Sequence, residues 1–312
     1  MNKLKTAVIG VGYLGKFHAQ KYANLPDSEL VGVCDTNHEI AANIAHELGV
    51  TVYTDYNVLL DKVDAVSIVV PTQKHHEVAK TFLSHDIHVL LEKPITSTVA
   101  QAQELVDIAQ QRELIFQIGH LERFNPAVMA LDNVLQQPRF IESHRIAPFN
   151  PRGADVNVVL DLMIHDIDII LNFVRSPVKN IQADGVPVLS SDIDVANARI
   201  QFENGCVANV TASRVSMKSE RKMRIFQPDA YITIDFQNKK LGIHKKGDGE
   251  MFPGVAEIDS VEHEFEQGDA LNAEIAAFLQ CIINKTEPLV TGQDGLQALK
   301  TAYKITSLLR EH

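Results

Sequence analysis

Leu4-Lys5-Thr6-Ala7-Val8-Ile9-Gly10-Val11-Gly12-Tyr13-Leu14-Gly15 settles the fold of the N-terminal part of the chain. Leu4–Ile9 is short, mostly apolar and not strictly alternating, the pattern of a strand covered on both faces. Glycines at 10, 12 and 15 follow at once and open a segment of helical period, Gly15–Ala23. Gly10 permits a tight turn, Gly12 lets the backbone approach a pyrophosphate, and Gly15 allows helix and strand to pack closely; Tyr13 and Leu14 complete the turn. The helix N-terminus behind them adds N–H groups and a positive dipole end. A glycine turn alone is weak evidence, but the next apolar run, Leu30–Cys34, ends at Asp35, 20 residues after Gly15. That is where an acid meets the ribose hydroxyls of an adenine dinucleotide. A carboxylate at Asp35 repels the extra phosphate of NADP, and Thr36 and Asn37 supply no cation to hold it, so the expected cofactor is NAD.

Outward from this motif, Ala65–Val70, Ile87–Leu91 and Ile115–Ile118 repeat the buried-strand pattern. Between the strands, Glu39–Leu48, Tyr56–Leu60, His76–His85 and Val99–Arg112 carry helical periods. Strands alternating with helices imply right-handed crossovers and a doubly wound parallel sheet. After Gly119 the texture changes. Helices are expected at Pro126–Val134 and Leu160–Phe173, with a strand at Phe140–Ala147. From Lys179 onward apolar and polar residues alternate, with turns at Glu203-Asn204-Gly205 and Gln237-Asn238, which predicts an antiparallel sheet with one covered face. The other face is either wet or an interface. Helices near Ala270–Ile283 and Gln293–Arg310 close the chain. The expected fold is thus α/β, an N-terminal Rossmann domain over residues 1–120 followed by an α+β sheet domain over 121–312.

A length of 312 residues favours two domains. Hydrophobic content of 45% and charged content of 22% are those of a globular protein. A net charge of −11 argues against a nucleic-acid partner, which needs clustered cations. Cys34, Cys206 and Cys281 lie far apart with no paired spacing, so neither a disulfide frame nor a zinc site is expected. His18, His76, His85, His88 and His144 lack partners at ligand spacing, and no metal is expected. Met1–Lys5 passes straight into the first strand, leaving no room for a signal peptide, and no apolar run approaches the roughly 18 residues of a membrane span. A cytoplasmic protein is the expectation.

Glu92-Lys93-Pro94 follows the strand Ile87–Leu91 at its carboxyl end, the side on which open α/β sheets bind ligands. A surface lysine before a helix would read the same way. In the second domain Asp161 and His165 stand four apart, on one face of a helix, with Asp166 beside them. Oxidation of an alcohol needs a group to accept the hydroxyl proton, and imidazole suits that task near neutral pH. Taken together, Gly10-x-Gly12-x-x-Gly15, Pro71-Thr72 with His75, Glu92-Lys93-Pro94, and Asp161 with His165 resemble the Gfo/Idh/MocA oxidoreductases over essentially the whole chain. The resemblance implies an open-faced, mainly antiparallel second sheet and substrate in a cleft between domains. It implies a catalytic pair Lys93 and His165, with Asp161 at the substrate. It also places Pro71, Thr72, His75, Glu92 and Lys93 at the cofactor, and implies a homodimer or homotetramer. Some relatives keep their nicotinamide and regenerate it with 2-oxoglutarate as second substrate.

Gly119–Pro126, Ala212–Ser216 and Arg221–Phe226 resemble the branch of that family that oxidises the 3-hydroxyl of UDP-N-acetylhexosamines, UDP-N-acetylglucosamine first among them. That branch serves 3-amino sugar synthesis for lipid A or surface polysaccharide. Residues 213–225 carry Arg214, Lys218, Arg221, Lys222 and Arg224 against Glu220 alone. Guanidinium forks suit a diphosphate, so Arg214 and Arg221, with Arg123 and Asn125 from the first of these stretches, are the expected substrate contacts; Arg145 and His120 are further candidates. On an edge strand the same charges would simply point into water. Gln227-Pro228-Asp229-Ala230 departs from the glycine turn common in the family. Two other readings stay open: a dehydrogenase of a free sugar, inositol or another nucleotide sugar, and a non-catalytic NAD-binding regulator.

Overall fold

A computed structural model describes residues 3–131, 134–150, 156–266 and 268–310. The chain forms two compact units, the first comprising Met1–Leu121 and Asp269–Leu296, the second Glu122–Gly268 and Gln297–His312. The N-terminal segment of the first unit ends at Leu121, beside the expected boundary at 120. The C-terminal part expected wholly in the second domain is instead shared between the two.

Unit 1 is built on six parallel strands in the order β3-β2-β1-β4-β5-β6. These are β1 (Leu4–Ile9), β2 (Ser28–Cys34), β3 (Thr51–Tyr53), β4 (Ala65–Ile68), β5 (His88–Glu92) and β6 (Phe116–Gly119). Helices α1 (Gly15–Asn24), α2 (His38–Leu48), α3 (Thr72–Ser84) and α4 (Val99–Gln111) make the crossovers. The three-residue edge strand β3 is too short to show a period, and the chain there gave no strand signal. Tyr56–Leu59 is a 3₁₀ turn capped by Asp55, where a helix was expected. Helix α3 begins four residues earlier than its apolar period, because Pro71 is its N-cap and its first turn is polar. Helix α7 (Ala270–Asn284) belongs to this unit: its Ile275, Phe278 and Leu279 are buried in one cluster with Val8, Ala19 and Leu90. Each such burial contributes roughly 2 kcal/mol, enough to draw a distant segment onto the sheet.

Unit 2 carries an eight-stranded sheet in the order β14-β13-β12-β11-β7-β10-β9-β8, with only β10 and β7 parallel. Its strands are β7 (Phe140–Ile146), β8 (Val178–Val186), β9 (Val195–Phe202), β10 (Val207–Ser213), β11 (Glu220–Gln227), β12 (Ala230–Asp235), β13 (Lys240–Phe252) and β14 (Val255–Glu264). Alternation is clear in the middle: Ala196, Ala198, Ile200 and Phe202 of β9 and Ala208, Val210 and Ala212 of β10 are buried. They share a core with Ile167 and Ile170 of α6 (Ile164–Val174) and Ala302 and Ile305 of α8 (Gly292–Leu309). The intervening residues form polar pairs across the strands, Asn197 to Thr211 and Arg199 to Asn209. Strand β14 gave almost no sequence signal because it buries nothing on either face, whereas the start of β13, with Leu241 and Ile243 buried, shares the alternation. Helix α5 is confined to Pro126–Met129; residues 132 and 133 of the expected helix lie outside the described ones. The β11–β12 turn explains the missing glycine, since Asp229 itself takes φ +80°, a conformation aspartate tolerates better than most residues. Among the described residues no helix is long and apolar enough to cross a membrane.

Candidate active site

In unit 1 the glycine turn is held by contacts that exclude side chains. Gly10 has φ +86°, and a Cβ there would lie 2.5 Å from the Val69 carbonyl oxygen. A Cβ on Gly15 would meet the Gly10 carbonyl oxygen at 1.8 Å, whereas one on Gly12 would meet nothing within 4 Å. The space above Gly12 is therefore open at the start of α1, where a pyrophosphate would need it. Tyr13 and Leu14 beside it are exposed. Asp35 does more than await a ribose. Its Oδ2 accepts the Val11 N–H and its Oδ1 the Asn37 N–H, both at 2.9 Å, so the acid ties the glycine turn to the end of β2. These residues fit NAD.

Pro71 and Thr72 lie at the start of α3, and His75 one turn on is buried. Its Nδ1 is 2.8 Å from the Pro94 carbonyl oxygen and its Nε2 is 2.9 Å from that of Val70. Only an N–H makes such a contact, so both at once favour the doubly protonated ring, while burial lowers the pKa and works against it. His75 thus holds two loops together instead of facing a ligand. Glu92 ends β5, with Lys93 half-buried next to it. Burial alone would raise the Glu92 carboxyl, but the His18 hydrogen bond and charge, with the Lys93 ammonium and amide, outweigh it and hold the group below its ordinary value.

In unit 2, Asp161 lies in a π-helical turn, Val159–Met163, that leads into α6, where His165 sits. Asn157 opens this segment, its Oδ1 accepting the N–H groups of Val159 and Leu160. Single π turns recur at functional sites, and both Asp161 and His165 remain half-buried while their neighbours Met163, Ile164 and Asp166 are buried. Asp166, beside His165 in sequence, is bound to Arg145, whose Nη1 also reaches Glu122 at 3.0 Å.

The basic stretch divides once folded. Arg214 is buried: its Nε donates to Asp194 at 2.8 Å, Nη1 to the Val156 carbonyl at 2.6 Å and Nη2 to Ser190. Arg123 is likewise buried in a two-bond pair with Asp168, at 2.6 and 3.0 Å. Asn125 caps α5 and donates to the Phe236 carbonyl. These three, expected at the substrate, are internal ties of unit 2, because a buried guanidinium must be matched by a carboxylate. Arg221 differs: half its side chain is open, 3.5 Å from Glu122, and it stands opposite Arg145 across the β11–β7 pair. Lys222 and Arg224 fall opposite His144 and Glu142 of β7, and Arg224 pairs with Glu142. Strand β11 lies between β7 and β12, so the edge-strand reading of these charges does not apply.

Residues 4–120 match the model of the oxidoreductase family with NAD-binding Rossmann fold, and residues 135–233 that of the GFO/IDH/MocA C-terminal domain. The chain belongs to the Gfo/Idh/MocA oxidoreductases. It is 40% identical over 306 residues to UDP-N-acetylglucosamine 3-dehydrogenase of Acidithiobacillus ferrooxidans, covering 98% of this chain and 97% of that one. The solved structure of that enzyme matches with a TM-score of 0.94 over 100% of this chain and 99% of the other. Scyllo-inositol 2-dehydrogenase (NAD(+)) of Bacillus subtilis is 24% identical over 329 residues, 99% of this chain and 95% of that protein. Scyllo-inositol dehydrogenase of Lactobacillus casei, solved with NAD(H) and scyllo-inositol, shares the fold at a TM-score of 0.83, 22% identity and coverage of 99% and 98%. This Gfo/Idh/MocA member is an NAD-dependent oxidoreductase. Two of its residues escaped the sequence reading. His18 had looked like an ordinary histidine, and Glu274 of α7 carried no motif; it is fully buried, and neither of its carboxyl oxygens has a hydrogen-bond partner.

Proposed function

We propose that the chain oxidises the 3-hydroxyl of a UDP-N-acetylhexosamine, UDP-N-acetylglucosamine in the first place, to the 3-keto sugar. The observation that carries this reading is the end-to-end 40% match to an enzyme of that name. NAD bound at the glycine turn supplies the hydride acceptor. His165 takes the hydroxyl proton, Asp161 orients the sugar, and Lys93 polarises the reacting oxygen. Arg221 is the diphosphate contact, since Arg123, Arg145 and Arg214 are occupied by carboxylates and Arg221 keeps half its side chain open.

NADH formation at 340 nm with UDP-N-acetylglucosamine, set against UDP-glucose and myo-inositol, tests the reading. Turnover of myo-inositol with none of the UDP-sugar would replace it by the inositol alternative, and binding of NAD with no turnover of any alcohol by the regulator. The same reading supplies a keto sugar to an aminotransferase of lipid A or surface-polysaccharide synthesis, in the cytoplasm. It admits retained NAD(H) regenerated by 2-oxoglutarate, which prolonged dialysis followed by cofactor extraction tests. A homodimer or homotetramer joined through the sheet of unit 2 completes it, and light scattering gives the mass.

A further inference from the structure

The residues on either side of Lys93 are held by buried histidines, Pro94 by His75 and Glu92 by His18. On the far side His75 holds the Pro94 carbonyl. On the near side the Glu92 carboxylate turns back into unit 1. His18 Nε2 lies 3.2 Å from Oε1, and the Lys93 N–H donates to Oε2 at 3.3 Å. Gly119, opposite Glu92 on β6, leaves the room: a Cβ there would meet the carboxylate at 3.0–3.2 Å. Because a carboxylate only accepts, the proton of this contact sits on His18 Nε2. Behind the ring, Nδ1 is 3.2 Å from Ser67 Oγ, which in turn is 2.9 Å from the Tyr22 hydroxyl. His18, Ser67 and Tyr22 are at most 2% exposed.

A buried chain of this kind either conducts protons or acts as a brace. Conduction needs a far end that exchanges its proton. Here the far end is Tyr22, whose phenol burial pushes up, outweighing the lowering effect of its hydrogen bond with Ser67. It keeps its proton, and the chain is a brace. Resting on the reading that Lys93 takes part in the chemistry, we propose that Glu92 and His18 are positioning residues: the Tyr22–Ser67–His18 brace fixes the Glu92 carboxylate, and that carboxylate keeps the Lys93 side chain charged and aimed. The titratable groups that act on or border Glu92 are His18 and Tyr22 of α1, His75 of α3, Lys93 itself and Glu274 of α7. Burial, then the Glu92 charge, push Glu274 toward its protonated form, which leaves Glu92 to balance Lys93. The attraction between them is reciprocal: the Lys93 charge that lowers Glu92 is itself favoured by the carboxylate.

Competitive acylation of amines, read at the Lys93 peptide by mass spectrometry, gives the pH midpoint of Lys93 in the intact chain without any turnover. Glu92→Gln keeps the shape and removes the charge. Its midpoint falls by about 1 pH unit, as expected for loss of an adjacent opposite charge, and kcat with UDP-N-acetylglucosamine falls by about 10–100-fold. His18→Leu moves both readouts the same way, and His18→Gln, whose amide restores a donor to Glu92, recovers most of kcat. A merely structural role would leave the midpoint in place. An unmoved midpoint with unchanged kcat in Glu92→Gln overturns the proposal, whether or not His18→Leu folds. Lys93→Ala keeps the two readings apart. Full turnover there sinks the role of Lys93, whereas lost turnover there beside a silent Glu92→Gln sinks only the positioning.

Discussion

Glu274→Gln should stabilise the protein, and by an amount that grows with pH. The side chain is fully buried, neither oxygen is hydrogen-bonded, and burial followed by the charge of Glu92 raises its pKa well above the ordinary 4.5. A folded-state value above the unfolded one means that the folded chain holds the proton more tightly. That stability is therefore complete below pH 4.5 and is lost as pH rises from 4.5 through the folded-state value. One proton is involved, so the loss is about 1.4 kcal/mol for each pH unit inside that window. Glutamine matches the neutral acid in size and has no proton to lose. Near pH 5 the two proteins should unfold almost together, and above it the variant should pull ahead. At about 2–4 °C per kcal/mol for a unit of this size, the gap in Tm should widen by roughly 3–6 °C per pH unit. Thermal melts of both proteins between pH 5 and pH 8, followed by calorimetry, give the comparison. Glu92, whose pKa is lowered, acts in the opposite sense and below pH 4.5, outside the range measured. Parallel Tm curves across that range would refute the reasoning, since they would mean that Glu274 ionises as readily folded as unfolded.

Gly15→Ala, whose Cβ would lie 1.8 Å from the Gly10 carbonyl oxygen, should abolish NADH fluorescence enhancement; retained binding would mean that the turn rearranges cheaply. Arg123→Leu alone leaves Asp168 buried and unpaired, so it should cost about 3–5 kcal/mol in denaturant unfolding, and Arg123→Leu with Asp168→Leu should recover most of that. Arg221→Ala should leave Tm unchanged and raise KM for UDP-N-acetylglucosamine by roughly 10-fold, the weight of one charge-assisted bond; an unchanged KM would remove Arg221 from the diphosphate. His165→Ala should cut kcat by about 100-fold or more, and near-normal turnover would take His165 out of the mechanism.

Unit 1 was legible because parallel strands buried on both faces give apolar runs that periodicity detects, and because the glycines at 10 and 15 are dictated by local backbone contact. What sequence did not show there was the place of α7, which was expected as a helix but joins this sheet through Ile275, Phe278 and Leu279. A helix that packs on a remote partner has an ordinary amphipathic pattern, and nothing in it names the partner. In unit 2 the alternation of β9 and β10 was readable and strand β14 was not, since a strand exposed on both faces has no period. The substrate arginines were misplaced for a related reason. Arg123, Arg145 and Arg214 find their carboxylates at Asp168, Asp166 and Asp194, between 20 and 45 residues away in sequence. Charge in a window of thirteen residues says nothing about such pairs.

The two units handle buried charge differently, and the difference bears on function. In unit 2 each buried arginine meets a carboxylate, so desolvation is offset and the pairs fix the fold without asking anything of a ligand. In unit 1 the fold keeps an unpaired acid, Glu274, in electrostatic contact with a carboxylate that adjoins Lys93. An apolar residue at 274 would remove that cost, so packing alone does not account for the acid. In its protonated form, toward which burial and the Glu92 charge push it, Glu274 adds no second negative charge beside Glu92. The cost therefore falls where the chain sets the charge of the residue at the end of β5, which is where perturbed groups are expected to gather around chemistry.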